Sequence, residues 1–239
     1  MKYRNYVMTG VVTVSLLMFI TSCGDDNDSL QDLISGGGST EPDKIEAVDL
    51  GLSVKWATCN IGASSPEKFG GYYAWGETEE KESYSWDNYK YWTDNNGDGK
   101  YYIYDEDGDL RVDESELTDI GENISGTEYD VARVKWGDNW RMPTQGEKGE
   151  LVRKCTWTWG DYNGVNGWHI TGPNGNSIFL PAAGYRTEEL ISAGTQSGTD
   201  YWTATRHGVY KYVAYYLYNG VTSLYSPRFY GHPVRAVTE

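Results

Sequence analysis

Basic side chains and histidine are scarce in this chain. Its 239 residues carry 20 Lys and Arg against 35 Asp and Glu, with 3 His, for a formal net charge of −15. So negative a chain is repelled by phosphate backbones, which argues against nucleic acid as a partner. It also gains nothing from bare anionic membrane surfaces. The three histidines, His169, His207 and His232, stand far apart, and neither Gly-x-Ser-x-Gly nor His-Glu-x-x-His occurs, so no catalytic residue is assigned. Long apolar runs are missing too. The longest, from about Val7 to Ile20, is broken by Thr9, Gly10, Thr13 and Ser15 and falls short of the roughly 20 apolar residues that span a bilayer. Cysteine is limited to Cys23, Cys59 and Cys155.

That short apolar stretch follows Lys2 and Arg4 and precedes Ile20-Thr21-Ser22-Cys23, the layout of a secretory signal over residues 1–22. The small residues before Cys23 resemble a bacterial lipobox. The resemblance implies cleavage before Cys23 and lipidation of its sulfur and new N-terminus, an anchor of several acyl chains. Gly24-Asp25-Asp26-Asn27-Asp28 resembles the surface-export signal of Bacteroidota lipoproteins, although Gly, Asp and Asn also make a plain solvated spacer. Residues 23–45, with Gly36-Gly37-Gly38-Ser39, read as a flexible tether. Removing Lys2 and Arg4 from the 20 basic residues leaves 18 against 35 acidic ones.

Residues 46–239 suffice for one sizeable core and are read as one domain. Ala47 to Gly51 and Val54 to Thr58 alternate apolar and polar, the pattern of a half-buried strand pair. From Phe69 to Trp92 aromatics crowd together without a held period, which predicts a long loop layer pinned by rings. Pro143-Thr144-Gln145-Gly146-Glu147 opens a helix that runs to about Lys154, with Thr144 and Glu147 as a capping box. Leu151 and Cys155 should face the core, and Glu147, Lys148, Glu150, Arg153 and Lys154 the solvent. Further on, Trp168 to Thr171 and Ser177 to Leu180 flank one turn, and Tyr212 to Tyr218 and Val221 to Tyr225 flank Asn219-Gly220, a strong hairpin signal. Tyr201 to Thr205 and Val234 to Val237 complete the expected strands.

Six strings then carry a family resemblance. They are Val48 to Asn60, Tyr73-Ala74-Trp75-Gly76-Glu77, Trp140-Arg141-Met142-Pro143-Thr144, Gly172 to Arg186, Tyr201-Trp202 and Gly231-His232-Pro233-Val234-Arg235. In this order they resemble the major paralogous domain family (FISUMP) of Bacteroidota surface lipoproteins, over essentially all of residues 46–239. The resemblance implies an α+β, C-type-lectin-like fold: two small antiparallel sheets, one or two helices, paired N- and C-terminal strands, and long loops carrying the ligand surface. An acidic segment at about 93–118 looks inserted relative to the family pattern. Family membership brings no settled activity, because fold does not dictate function.

That inserted segment has the spacing of a calcium loop. Asp94, Asn96, Asp98, Gly99, Lys100 and Asp105 occupy positions 1, 3, 5, 6, 7 and 12, where hard oxygen ligands can wrap a cation and Gly99 permits the sharp turn. An overlapping series, Asp105, Asp107, Asp109, Asp113 and Glu116, places Leu110 where Gly belongs. The same residues also suit an acidic double hairpin between Tyr101 to Tyr104 and Leu110 to Val112. Among 10 Trp and 21 Tyr, Trp75, Tyr84, Trp86 and Trp92 are the candidates for stacking on a ligand, while most rings should be core. The Glu-Pro-Asn, Gln-Pro-Asp and Trp-Asn-Asp motifs of calcium-dependent lectins are absent. Cys59 and Cys155, in an exported chain, form either a disulfide or two buried thiols. Arg141 and Arg235, between apolar neighbours, are expected to pair with buried carboxylates. The expected function is a lipid-anchored surface binding or adhesion module for a glycan or protein; the alternatives are an accessory subunit of an outer-membrane assembly and an enzyme.

Overall fold

A computed structural model describes residues 45–239 apart from Asn96, Asp105, Glu106, Gly108, Asp109, Asp138 and Ser197. Cys23, the signal segment and nearly all of the tether lie outside the described residues. Among those described, no helix is long and apolar enough to cross a membrane.

The chain enters through β1 (Ala47–Val48) and β2 (Lys55–Ala57), then passes a small hairpin, β3 (Tyr102–Tyr104) and β4 (Leu110–Val112). Two helices follow, α1 (Val131–Trp136) and α2 (Gln145–Lys154). A meander of β5 (Thr156–Tyr162), β6 (Val165–Thr171) and β7 (Ser177–Pro181) leads through β8 (Tyr185–Arg186) and β9 (Leu190–Ile191). A second meander, β10 (Asp200–Arg206), β11 (Val213–Tyr218) and β12 (Val221–Pro227), precedes the closing β13 (Val237–Thr238). Every strand pairing among the described residues is antiparallel. The molecule is an α+β protein of small antiparallel sheets.

The chain ends meet as the sequence pattern suggested. Trp56 of β2 lies opposite Val48 on one side and Val237 on the other, so both ends are zipped onto one buried indole. The C-terminal strand is shorter than expected: Val234 and Ala236 give their carbonyls to the amides of Ile61 and Ala57 without forming a regular ladder. Asn219 and Gly220 join β11 to β12 with φ of 43° and 74°, the double positive φ of a tight hairpin turn. Asn163 and Gly164 do the same between β5 and β6. β5 was not among the expected strands. Its Trp157 and Trp159 alternate with Thr156, Thr158 and Gly160, and this pattern follows the helix without a breaker.

Helix α2 starts where expected. The Thr144 hydroxyl accepts from the Glu147 amide at 3.3 Å, and the Glu147 carboxylate accepts from the Thr144 amide at 2.8 Å. Leu151 is fully buried, and of the residues expected in solvent Glu147 and Glu150 are only 15% and 16% exposed and Lys148 not at all. Glu147 is turned inward by a two-pronged pair with Arg141, at 2.6 and 2.9 Å. Burial raises its carboxyl pKa, yet the hydrogen bonds from Arg141 and Thr144 outweigh burial and leave it lowered. Lys148 is completely buried under the second meander, its Nζ donating to the Tyr216 carbonyl at 3.1 Å. Desolvation lowers its pKa to about 8. Helix α1 is capped by buried Asp130, whose carboxylate accepts amides from Gly126, Ala132, Arg133 and Met142. One side chain thereby fixes the approach to the Trp140-to-Thr144 string.

The core forms two packed groups. One gathers Leu50, Trp56, Leu151, Ile170, Leu180, Tyr201 and Leu217 beneath α2. The other is built on Phe69, Tyr72, Trp75, Trp86, Tyr89 and Trp202 and holds the long loops. Full burial of rings this large stabilises by about 2–3 kcal/mol each. The expected carboxylate partner holds for Arg141 and fails for Arg235. Arg235 is buried and donates instead to Asn60 Oδ1 at 2.8 Å and to the carbonyls of Ala57 and Thr58.

Candidate functional site

The aromatic candidates chosen from the sequence are mostly scaffold. Trp75 and Tyr84 are 0% and 1% exposed and Trp86 is 5% exposed, so all three rings are packed inside the domain, with Tyr84 also at the floor of a shallow pocket beside Phe229 and Tyr230. The reason is local: residues 69–92 have little regular backbone pairing, so their polar groups are satisfied by ring N–H and O–H donors. The Trp75 indole donates to the Thr203 carbonyl at 2.9 Å, the Tyr84 hydroxyl to the Tyr72 carbonyl, and the Tyr89 hydroxyl to the Trp75 carbonyl. Trp86 packs against Trp92 and Phe229 with ring centroids 5.5 and 4.7 Å away. Trp92 is half-buried and rests on Tyr101 at the base of the inserted segment.

In that segment Asn96 and Asp105 lie outside the described residues. The described candidates use their carboxylates on the turn itself: Asp94 accepts the amides of Asp98 and Gly99, and Asp98 accepts the amide of Lys100 and pairs with its ammonium at 3.5 Å. β3 and β4 form the hairpin that was the alternative to a metal loop. Among the described residues no group of three or more His, Cys, Asp or Glu could hold a metal ion. Glu116 is buried and takes the Asn95 amide, which ties the two ends of the insertion together. Cys59 and Cys155 are free thiols, not a bridge. Cys59 is buried beside Thr58, whereas Cys155 caps the end of α2 and packs against the core group beneath that helix.

An open groove of about 520 Å³ lies elsewhere, between the insertion and the loop joining β10 to β11. Residues 111–115 form one wall, and Val209, Tyr210 and Tyr212 form the other. A ledge of rings continues from it. His207 stacks on Tyr210 at 5.1 Å and 15°, and meets Tyr225 at 4.7 Å and Tyr215 at 5.4 Å. Val209, Tyr210 and Tyr225 are 73%, 39% and 47% exposed, unusual values for apolar and aromatic residues set side by side. The amides of Val209 and Tyr210 point at His207 Nδ1, at 3.3 and 3.0 Å. Nδ1 is therefore the acceptor, and Nε2 keeps the proton of the neutral ring. Across the groove, Glu114 Oε1 accepts the Lys211 amide at 2.6 Å, and Asp113 Oδ1 accepts the Ser115 hydroxyl at 2.6 Å.

No family model, curated protein or solved structure matches the chain. The site must therefore be read from its own chemistry. Flat rings with exposed faces stand beside carboxylates, a guanidinium and hydroxyls. Such a surface can stack on the apolar face of a ring and hydrogen-bond its rim. Sequence reasoning missed it because Tyr215 and Tyr225 stand on later strands and reach the His207–Tyr210 turn only through the register of β10, β11 and β12. The available signal was His207-Gly208-Val209-Tyr210, apolar and aromatic residues placed in a turn between two strands.

Proposed function

We propose that this chain is a lipid-anchored cell-surface binding module of the FISUMP type, with a C-type-lectin-like fold, and that it binds a glycan in the groove beside the His207–Tyr210–Tyr225 ledge. The exposed ring ledge continuous with a polar groove carries this reading. Pyranose rings offer apolar C–H faces and a rim of hydroxyls, which suits tyrosine faces next to Asp113, Glu114 and Arg111. In the same reading Cys23 bears the lipid, the tether over residues 23–45 spaces the domain from the outer membrane, and the inserted segment supplies one wall of the site. Glycan-array binding by the intact protein tests it. Selective binding supports the reading, and an array with no selective signal contradicts it.

A role as an accessory subunit of an outer-membrane assembly is favoured by one separate observation. β5 is paired only on its β6 side among the described residues, and its seven residues are mostly exposed or half-exposed. A stable partner that co-purifies and protects β5 amides from exchange would support that second reading.

A further inference from the structure

Among the described residues the buried carboxylates are nearly all occupied. Asp130 takes four amides, Glu77 is paired with Lys81 at 2.9 Å, and Asp113 and Glu116 hold backbone amides. Asp200 differs: it is 3% exposed, and its Oδ2 has no hydrogen-bond partner. A polar group left bare in an apolar setting is costly, so its retention calls for a reason.

Its surroundings supply one. Tyr230 lies flat on Tyr185 at 5.4 Å and 5°, Tyr185 lies on His232 at 5.5 Å and 28°, and Tyr216 lies against His232 at 5.3 Å and 32°. The three tyrosines keep part of their surface in solvent. Asp200 lies opposite Tyr218 and Trp202 opposite Tyr216, so Asp200 and Tyr216 project from the same face of the sheet, and the Asp200 carbonyl is 3.3 Å from the His232 ring that both Tyr185 and Tyr216 lie against. His232 cannot serve as the missing counter-ion. Its Nδ1 is 3.3 Å from the Asp200 carbonyl and its Nε2 3.1 Å from the Ser226 hydroxyl. With Nδ1–H donating to that carbonyl, Nε2 accepts from Ser226, and burial lowers the ring's pKa to about 3, so it stays neutral.

We propose that Asp200 anchors a second ligand site, in which a primary ammonium group lies against Tyr185 and Tyr216 and donates to the unpartnered Oδ2. The faces of the tyrosines attract a cation, and the negative charge of the whole chain steers one in. A primary ammonium fits where a quaternary one does not, because only the former brings the N–H that Oδ2 lacks. Burial alone holds Asp200 up to about 7, so an arriving ammonium displaces the proton that the carboxyl otherwise retains. The site does not depend on the groove or on its glycan.

Calorimetric titration of the full chain with n-butylammonium at neutral pH, repeated in buffers of different ionisation enthalpy, tests the proposal. The expected result is saturable millimolar binding with release of a fraction of a proton, weakened at least tenfold in Asp200→Asn. Affinity should rise with pH through neutrality, since Tyr185, Tyr216, Tyr230 and His232 hold their charge states there. This pH dependence in the unaltered protein keeps the test valid should Asp200→Asn fail to fold. Equal binding of tetramethylammonium, equal binding by a folded Asp200→Asn, or no saturable binding at all would each overturn it.

Discussion

The backbone amide of Lys211 donates to Glu114 Oε1 at 2.6 Å, and this one bond joins the inserted segment to the loop that carries Tyr210. The two walls of the groove are tied together at that point. Glu114→Gln keeps the length of the side chain but removes its charge, and hydrogen bonds to charged groups exceed neutral ones by about 1 kcal/mol. Weaker glycan binding with a melting temperature lowered by no more than a few degrees is expected, measured by titration and thermal unfolding on the same variant.

Trp75 separates scaffold from surface. Trp75→Ala should destabilise the protein by about 3–5 kcal/mol through the cavity it leaves and the orphaned Thr203 carbonyl. Tyr225→Ala, at an exposed position, should change stability by less than about 0.5 kcal/mol. Denaturant unfolding of both variants checks the contrast. Near-equal stabilities would mean that the ring assignments are wrong.

Arg141 and Glu147 link the last strand to the start of α2, with Glu239 joining at 3.0 Å on the exposed side. Arg141→Ala leaves a half-buried carboxylate facing a lost partner, and a cost of about 1–3 kcal/mol is expected. The Glu147 pKa is lowered in the fold, so this contribution is present above the unfolded value near 4 and is lost as pH falls through the folded one. The difference in unfolding free energy between wild type and Arg141→Ala should therefore shrink on acidification.

Asp200 gives the opposite slope. Burial raises its pKa to about 7 from an unfolded value near 4. The folded state thus holds a proton that the unfolded chain releases, and stability contributed by this group falls as pH rises from about 4 to about 7. Asp200→Asn should flatten that fall in unfolding free energy measured across the window.

Lys148 acts at the alkaline end. Desolvation lowers its pKa to about 8, below the unfolded value near 10.4. The cost of burying it is complete below pH 8 and fades as pH rises towards 10, so stability contributed by this position rises over that range. Lys148→Met, which keeps an unbranched side chain one atom shorter and removes the charge, should abolish the rise.

Local signals were read well from the sequence and long-range ones poorly. The Thr144–Glu147 capping box, the Asn219-Gly220 turn and the strands at both chain ends follow from nearest-neighbour chemistry, and the structure has them. Lys148 misled because the polar face of an amphipathic helix is assigned by type, whereas this lysine lies under a sheet whose Tyr216, the residue it binds, is 68 positions further on. The ring candidates at 75–86 misled for a related reason. Composition shows that a loop is rich in aromatics, but which face of a ring meets solvent depends on what folds over it. The ledge formed by His207, Tyr210 and Tyr225 depends on strand register, which no single stretch of sequence contains.

The most direct test of the central claim is titration of the strongest array glycan into wild-type protein and into the double variant Tyr210→Ala/Tyr225→Ala, with Trp92→Phe as the control away from the groove. Each ledge ring is expected to contribute about 1 kcal/mol beyond its buried area. Loss of at least tenfold affinity in the double variant, with unchanged folding and a near-normal control, is the predicted result. Undiminished affinity in the double variant would contradict the assignment of this ledge as the glycan site.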